Sequence, residues 1–208
     1  MNIENIPSGR IDIPNFSIKE DIKVNSADTA LLITDMQNDF VHPDGALFVP
    51  AAPMTIEPIK ILLQKARTAK APIVFMQDTH LAQDKESEIW PEHCQYETWG
   101  WRIHEDLTPQ RNELVLQKNR YDAFYGTSLE HYLRNIWDVK NLIVVGTVSN
   151  ICVLHTIGSA NLRWIHAIVP ADGISALSEF DQALTLHQTA NLYYGDIIKN
   201  CSGIGFES

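Results

Sequence analysis

Five short apolar runs punctuate the chain, at residues 30–34, 72–76, 113–117, 141–145 and 165–169, each bounded by polar or turn-forming residues. Their length and their Val, Ile and Leu content predict β-strands. Helical patterns fill most of the intervals. Residues 53–70 set Ile56, Ile59, Ile61, Leu62, Leu63 and Ala66 along a broad apolar stripe and leave Lys60, Lys65 and Arg67 for solvent. Residues 179–194 place Phe180, Ala183, Leu184, His187 and Ala190 at similar intervals. Strands alternating with helices predict an α/β fold, a doubly wound three-layer sandwich with a mostly parallel central sheet flanked by helices.

Open sheets of this kind bind ligands beyond the carboxyl ends of their strands. The residues at or just past those ends are Asp35, Asp78 with His80, Lys118, the turn from Gly146 to Cys152, and Asp172. The ionisable groups of interest therefore converge on one edge of the sheet. Cys152 follows a strand and a tight small-residue turn and precedes a helical stretch, which puts a thiol at a helix N-terminus. Unpaired N–H groups and the positive end of the helix dipole there favour a thiolate and an anionic intermediate. Taken singly, each residue has a plainer reading: Cys152 as a small buried hydrophobe, Asp35 and Asp172 as turn or cap residues, Lys118 as a solvated charge ending an edge strand. Taken together, a carboxylate that accepts the thiol proton, an ammonium and a thiolate form a workable set for acyl transfer, with backbone N–H groups of the turn stabilising the oxyanion.

A second constellation lies between the second and third strands. Asp78-Thr79-His80 is followed by Trp90-Pro91-Glu92-His93-Cys94, a carboxylate and two imidazoles of the kind that bind zinc or a similar divalent ion, or else a solvated polar loop. Phe40, Trp90, Trp99, Trp101, Tyr121 and Tyr125 are near enough in sequence to these motifs to sandwich a flat substrate. Phe40, Trp90 and Tyr125 are the substrate-binding candidates, and Trp99 and Trp101 read as packing.

Asp35-Met36-Gln37-Asn38-Asp39-Phe40, Lys118 within KNRYDAFYGTSLE, and GTVSNICVLHT from Gly146 to Thr156 together resemble the isochorismatase-like cysteine hydrolases, the superfamily of nicotinamidase and N-carbamoylsarcosine amidase. The resemblance spans roughly residues 26–200. It implies a catalytic triad of Asp35, Lys118 and Cys152, a cis peptide at Thr147–Val148, and an oxyanion hole formed by the N–H groups of Val148 and Cys152. It further implies a metal held by Asp78, His80 and His93, with Glu86 where some relatives carry a fourth ligand, and no organic cofactor. Thr79 departs from the Trp that many nicotinamidases carry between the Asp and the His. Some superfamily members cleave a vinyl ether and lack the thiol, so Cys152 implies the amidase branch: C–N hydrolysis through a thioester, with nicotinamide as leading substrate and a metal-independent N-carbamoyl or ureido amidase as the alternative. Members are commonly homodimers or homotetramers.

Two other classes stand against this reading. A non-catalytic binding protein on the same fold would be signalled by a broken triad, and none is broken. A nucleotide-binding oxidoreductase would carry G-x-G-x-x-G after the first strand, where Asp35-Met36-Gln37 stands instead. Composition narrows the rest. The chain has 208 residues, enough for one such domain over residues 26–208, with residues 1–25 as an arm that packs on the domain or on a neighbouring subunit. A formal net charge of -10 argues against a nucleic-acid partner. Residues 1–26 lack the apolar core of a signal peptide, and no apolar run is long enough to span a membrane. Three cysteines without disulfide-framework spacing fit a reducing cytoplasm.

Overall fold

The computed structural model describes residues 12–207. The strands are β1 (Ile22–Asn25), β2 (Thr29–Thr34), β3 (Ile73–Asp78), β4 (Leu114–Lys118), β5 (Asn141–Thr147), β6 (His166–Pro170), β7 (Ile174–Ser175), β8 (Asp196–Ile198) and β9 (Ile204–Glu207). The helices are α1 (Asn38–Val41), α2 (Ile56–Ala69), α3 (Leu129–His131), α4 (Leu154–Asn161) and α5 (Glu179–Asn191). β2, β3, β4, β5 and β6 match the five apolar runs within a residue or two. They form a sheet in the order β4-β3-β2-β5-β6-β8, with β7 paired to the end of β5, and every pairing among the described strands is parallel.

Both faces of this sheet are covered, so successive residues of a strand enter different cores. Leu31, Ile33, Ile73, Phe75, Ile143 and Val145 pack with Ile59, Leu62, Leu63 and Ala66 of α2 on one side. Ala30, Leu32, Val74, Met76, Leu142 and Val144 pack with Leu129, Ile157, Ala160 and Leu186 of the other helices on the opposite side. Two helix expectations change. Ile61 is exposed, because the turn of α2 that carries it faces water, and Phe180 is exposed while α5 buries Thr185, Leu186 and Thr189.

Residues 1–11 of the expected arm lie outside the described residues. Its end, β1, pairs in parallel with β9, and Lys19 bridges to Ile198 at the end of β8, so this segment lies against the C-terminal strands. Among the described residues no helix is long and apolar enough to cross a membrane.

The sheet order places the site. From β2 the chain winds outward through β3 to β4, then returns to β5 on the other side of β2. The crevice between the ends of β2 and β5 is therefore the topological switch point, where the two loops leave in opposite directions and open a pocket. β4 lies at the sheet edge, and its approach is clamped to α2: Arg67 Nε and Nη2 reach the Glu113 carboxylate at 2.7 and 2.9 Å, and Arg67 Nη2 also donates to Thr108 O. The Gln110 N–H donates to Glu113 as well. Burial alone would raise the Glu113 carboxyl, but these donors outweigh it and hold it below its ordinary value of 4.5. A depressed carboxyl stabilises the fold above its unfolded pKa and loses that contribution as pH falls through its folded value. Glu113→Gln is thus expected to cost about 1–3 kcal/mol at neutral pH. The deficit relative to the parent should shrink as pH falls below the ordinary carboxylate value and through the lowered folded value of Glu113, where the parent side chain also becomes neutral. Urea titrations across that acid range and at neutral pH check this, and equal midpoints at neutral pH would show that the clamp adds no net stability.

Candidate active site

Three strand ends deliver the triad candidates. β2 hands over to Asp35, whose backbone turns left-handed (φ 55°) while its N–H donates to Met76 O of β3. Asp tolerates this conformation better than most residues, and the turn drops the carboxylate into the crevice instead of along the strand. Lys118 is the last residue of β4, in register with Asp78 at the end of β3. Cys152 lies in a π-helical turn, Ser149–Val153, that leads into α4. The switch from β5 into that turn requires Gly146: its φ is 118°, and a Cβ there would meet Thr34 O at 2.0 Å. The peptide Thr147–Val148 is cis, as the resemblance implies.

Lys118 is 1% exposed and organises the centre. Its Nζ stands 2.9 Å from Asp35 Oδ2, 3.1 Å from Asp78 Oδ1 and 3.6 Å from Cys152 Sγ. Asp35 and Cys152 thus stand against the same ammonium. Burial raises the Asp35 carboxyl against the opposing pull of Lys118, so its basicity is enhanced. Burial would lower Lys118, but the two carboxylates push it well above the usual lysine range and keep it an ammonium. Cys152 runs against the expectation from its helix N-terminus. Burial, and then the negative charge of Asp35, push the thiol well above its usual range despite Lys118. In a site this enclosed, desolvation of the thiolate outweighs the helix dipole. Cys152 therefore rests as a thiol with its base beside it.

The second constellation shares a residue with the first. Asp78 Oδ1 faces Lys118, while Oδ2 lies 3.0 Å from His80 Nε2 and 3.3 Å from His93 Nε2. The ligand atoms of Asp78, His80 and His93 all fall within 4.8 Å of one another, and all three residues are buried. The opposite ring nitrogens are engaged: His80 Nδ1 with Asp84 Oδ2 at 3.0 Å and His93 Nδ1 with Pro91 O at 2.7 Å. Such outer partners fix both imidazoles with Nε2 aimed inward, as metal-ligating histidines require, so the donor set fits a divalent ion. Burial would lower His80, but Asp78 and Asp84 push it up to about 9. Burial acts to raise Asp78, yet Lys118 and the two imidazoles pull it below the carboxylate range.

The pocket over Cys152 has apolar walls from Phe40, Trp90, Tyr121, Ile151 and Leu177, with Asp78 and His93 beside the thiol. Phe40 and Trp90 thus line the same pocket as Cys152. Tyr125 does not: the Asp122–Tyr125 turn buries Ala123 and Phe124, which leaves the Tyr125 ring 66% exposed in a separate surface depression. Tyr121 takes its place, accepting a hydrogen bond from Trp90 Nε1 at 2.8 Å. Glu86 lines the pocket but stands outside the ligand cluster, 3.5 Å from Arg120 Nη1. A cation from the β4 loop competes for the carboxylate, which residue spacing alone does not reveal. Asp172 lies elsewhere, accepting from Cys201 N and Asn200 Nδ2. His155 tilts against Tyr121 near the pocket.

Two supporting residues carry no role in the sequence reading although their motif was visible. Gln37 donates to Asp78 O and Trp101 O and accepts from Asp78 N, each at 2.8 Å, tying the end of β3 to the segment after β2. Asp39 accepts from Cys94 N at 2.7 Å and Ala46 N at 3.0 Å, fixing the loop that presents His93. The signal was their place, two and four residues after Asp35.

The Isochorismatase domain model matches residues 29–199. A ureidoacrylate amidohydrolase, RutB, of Serratia proteamaculans is 26% identical, covering 92% of this chain and 90% of that protein. Among solved structures, pyrazinamidase/nicotinamidase from Streptococcus mutans is 28% identical with a TM-score of 0.78, over 82% of this chain and 99% of that one. N-carbamoylsarcosine amidase from Thermoplasma acidophilum is 28% identical with a TM-score of 0.76, over 82% and 95%. With the family model covering most of its length, on a parallel sheet whose switch point gathers Asp35, Lys118 and Cys152, this chain belongs to the isochorismatase family.

Proposed function

We propose that the protein is a cysteine amidohydrolase that cleaves the C–N bond of a small neutral amide, nicotinamide being the leading substrate. The observation that carries this reading is the contact set around Lys118, which puts a base, a cation and a thiol within a few ångströms in a buried site. As substrate enters, Asp35 takes the Cys152 proton and Sγ attacks the amide carbon. The developing oxyanion is met by the N–H groups of Val148 and Cys152. Asp35 returns its proton to the departing nitrogen, ammonia leaves, and a thioester remains. Asp35 then deprotonates water, which attacks the thioester, and the thiol is regenerated with release of the acid. Lys118 stays charged throughout and stabilises Asp35 and the thiolate in turn.

The pocket favours a neutral, flat substrate. Its walls are mostly apolar and aromatic, with Asp78, Glu86 and His93 as the polar members, and no Lys or Arg is among the described residues that line it to pair with a substrate carboxylate. Asp78, His80 and His93 would hold a divalent ion of the zinc class beside it. Such an ion, when bound, supplies a Lewis acid for a heteroaromatic ring nitrogen. The second reading, an N-carbamoyl or ureido acid as substrate, is favoured by the names of the Serratia and Thermoplasma relatives.

Ammonia release from nicotinamide, pyrazinamide, N-carbamoyl amino acids and ureidoacrylate separates the two. Nicotinamide is expected to exceed the carboxylate-bearing compounds in kcat/KM by about tenfold or more; the reverse order would move the assignment to the second reading. Cys152→Ala should lower turnover at least about 10⁴-fold while keeping the far-UV spectrum and a cooperative melt. Retained turnover would remove the thioester. His93→Ala should weaken binding of added zinc about 100-fold or more by calorimetric titration, and an unchanged affinity would sink the ligand assignment.

A further inference from the structure

The turn that carries the nucleophile is held from outside by α5, at residues that touch no reacting atom. Ser149 is fully buried, and its Oγ donates to Gln182 Oε1 at 2.6 Å. The Gln182 amide is fixed at its other end: Nε2 donates to Ala171 O at 3.2 Å and Ile174 O at 3.1 Å, the residues that flank the last turn before β7. One neighbour repeats the arrangement, Asn150 Nδ2 donating to Asp181 Oδ1 at 3.1 Å, with Asp181 itself held by the N-cap Ser178 of α5. β7 adds a third tie, Ser175 Oγ to Thr147 Oγ1 at 3.1 Å.

Residues 147–150 are thus pinned by side chains of α5 and β7 immediately before Cys152. Only one amide orientation satisfies all three partners of Gln182, so the side chain defines a direction as well as a contact. Ser149 follows Val148 directly and lies three residues before Cys152, so a displacement of its backbone would shift the N–H groups on either side that are assigned to the oxyanion. We propose that Gln182 is a positioning residue that acts through Ser149 to aim the oxyanion-binding N–H groups of the Val148–Cys152 turn. This rests on the thioester mechanism above, but not on the identity of the amide.

Gln182 also borders a cavity of about 450 Å³ beside the start of α5. Truncating it therefore enlarges an existing space and does not hollow out a core, so the fold should tolerate Gln182→Ala. The test compares two reactions of Cys152. In the first, p-nitrophenyl acetate acylates the thiol: the S–C bond forms, the C–O bond to p-nitrophenolate breaks, and the thiol proton passes to Asp35. This reaction passes through an oxyanion. In the second, iodoacetamide alkylates the same sulfur by displacing iodide, without one. Mass spectrometry assigns both products to Cys152.

Gln182→Ala is expected to slow acylation about 10- to 100-fold while alkylation stays within about twofold. Ser149→Ala should do the same, and the double variant should be no slower than about the slower single one, because the two side chains act as a unit. Unchanged acylation in Gln182→Ala overturns the proposal, as does a parallel loss of both reactions, which marks a structural role. If the parent is acylated but hydrolyses none of the amides, the substrate assignment fails while this inference is still decided by the two rates. A parent whose Cys152 is not acylated overturns both.

Discussion

The buried ammonium of Lys118 is the charge around which this structure is arranged. An isolated cation with no exposure to water would cost several kcal/mol, and only close anionic partners offset that. Asp35 and Asp78 supply them at 2.9 and 3.1 Å. Their positions follow from the sheet. Lys118 lies opposite Asp78 in the β3–β4 register, and Asp35 follows the strand on the other side of β3. A one-residue slip of β4 would turn the ammonium to the opposite face and leave two carboxylates buried without their cation. That constraint gives meaning to the Arg67–Glu113 clamp just before β4, since an edge strand has a neighbour on one side only.

The same ammonium joins two centres that look separate along the chain. Asp78 uses one oxygen for Lys118 and the other for both imidazoles, so a charge bound beside His80 and His93 is felt at Lys118 through a single carboxylate. Cys152 stands 3.6 Å from the same Lys118 Nζ and is governed by the balance between that cation and Asp35. Because burial dominates this balance, the thiol rests protonated and the base waits beside it. A permanently ionised thiolate would place a second negative charge next to Asp35 in a dry site. In the proposed mechanism, coupling ionisation to attack would avoid that cost, since the charge would move to the oxyanion as it forms.

How much of this was legible in the sequence depended on the range of the interaction. β2, β3, β5 and β6 announce themselves because a strand covered on both faces is a continuous apolar run, and the edge strand β4, with Val115 and Gln117 exposed, is legible from its Leu114-Val115-Leu116 core alone. β1, β7, β8 and β9, two to four residues long, carry too little pattern to be distinguished from loop. Asp35, Asp78, Lys118 and Cys152 were legible because topology sends strand ends to one edge. Tyr125 lies outside the pocket because the Asp122–Tyr125 turn buries Ala123 and Phe124 in its stead, and Glu86, a ligand position only by the resemblance, is engaged by Arg120, thirty-four positions later and invisible to local spacing. A helix terminus and a neighbouring ammonium both point to an activated thiol along the sequence. Desolvation, which reverses that reading, belongs to the folded surroundings.

Sequence reading also favours residues that look reactive over those that hold them. Gln37 and Asp39 carry no unusual chemistry, yet Gln37 joins β3 to the segment after β2 through both the N–H and C=O of Asp78, and Asp39 fixes the backbone next to His93. Both act as backbone caps: a buried N–H or C=O at a strand end has lost its ladder partner, and a short polar side chain from the neighbouring loop replaces it. Gln182 does the same for the carbonyls flanking β7 while also holding Ser149. Reactive side chains at strand ends need such partners because the sheet stops ordering the backbone at the point where the chemistry begins. The polar residues that finish those hydrogen bonds are therefore as much a part of the site's geometry as the Asp35, Lys118 and Cys152 side chains they surround.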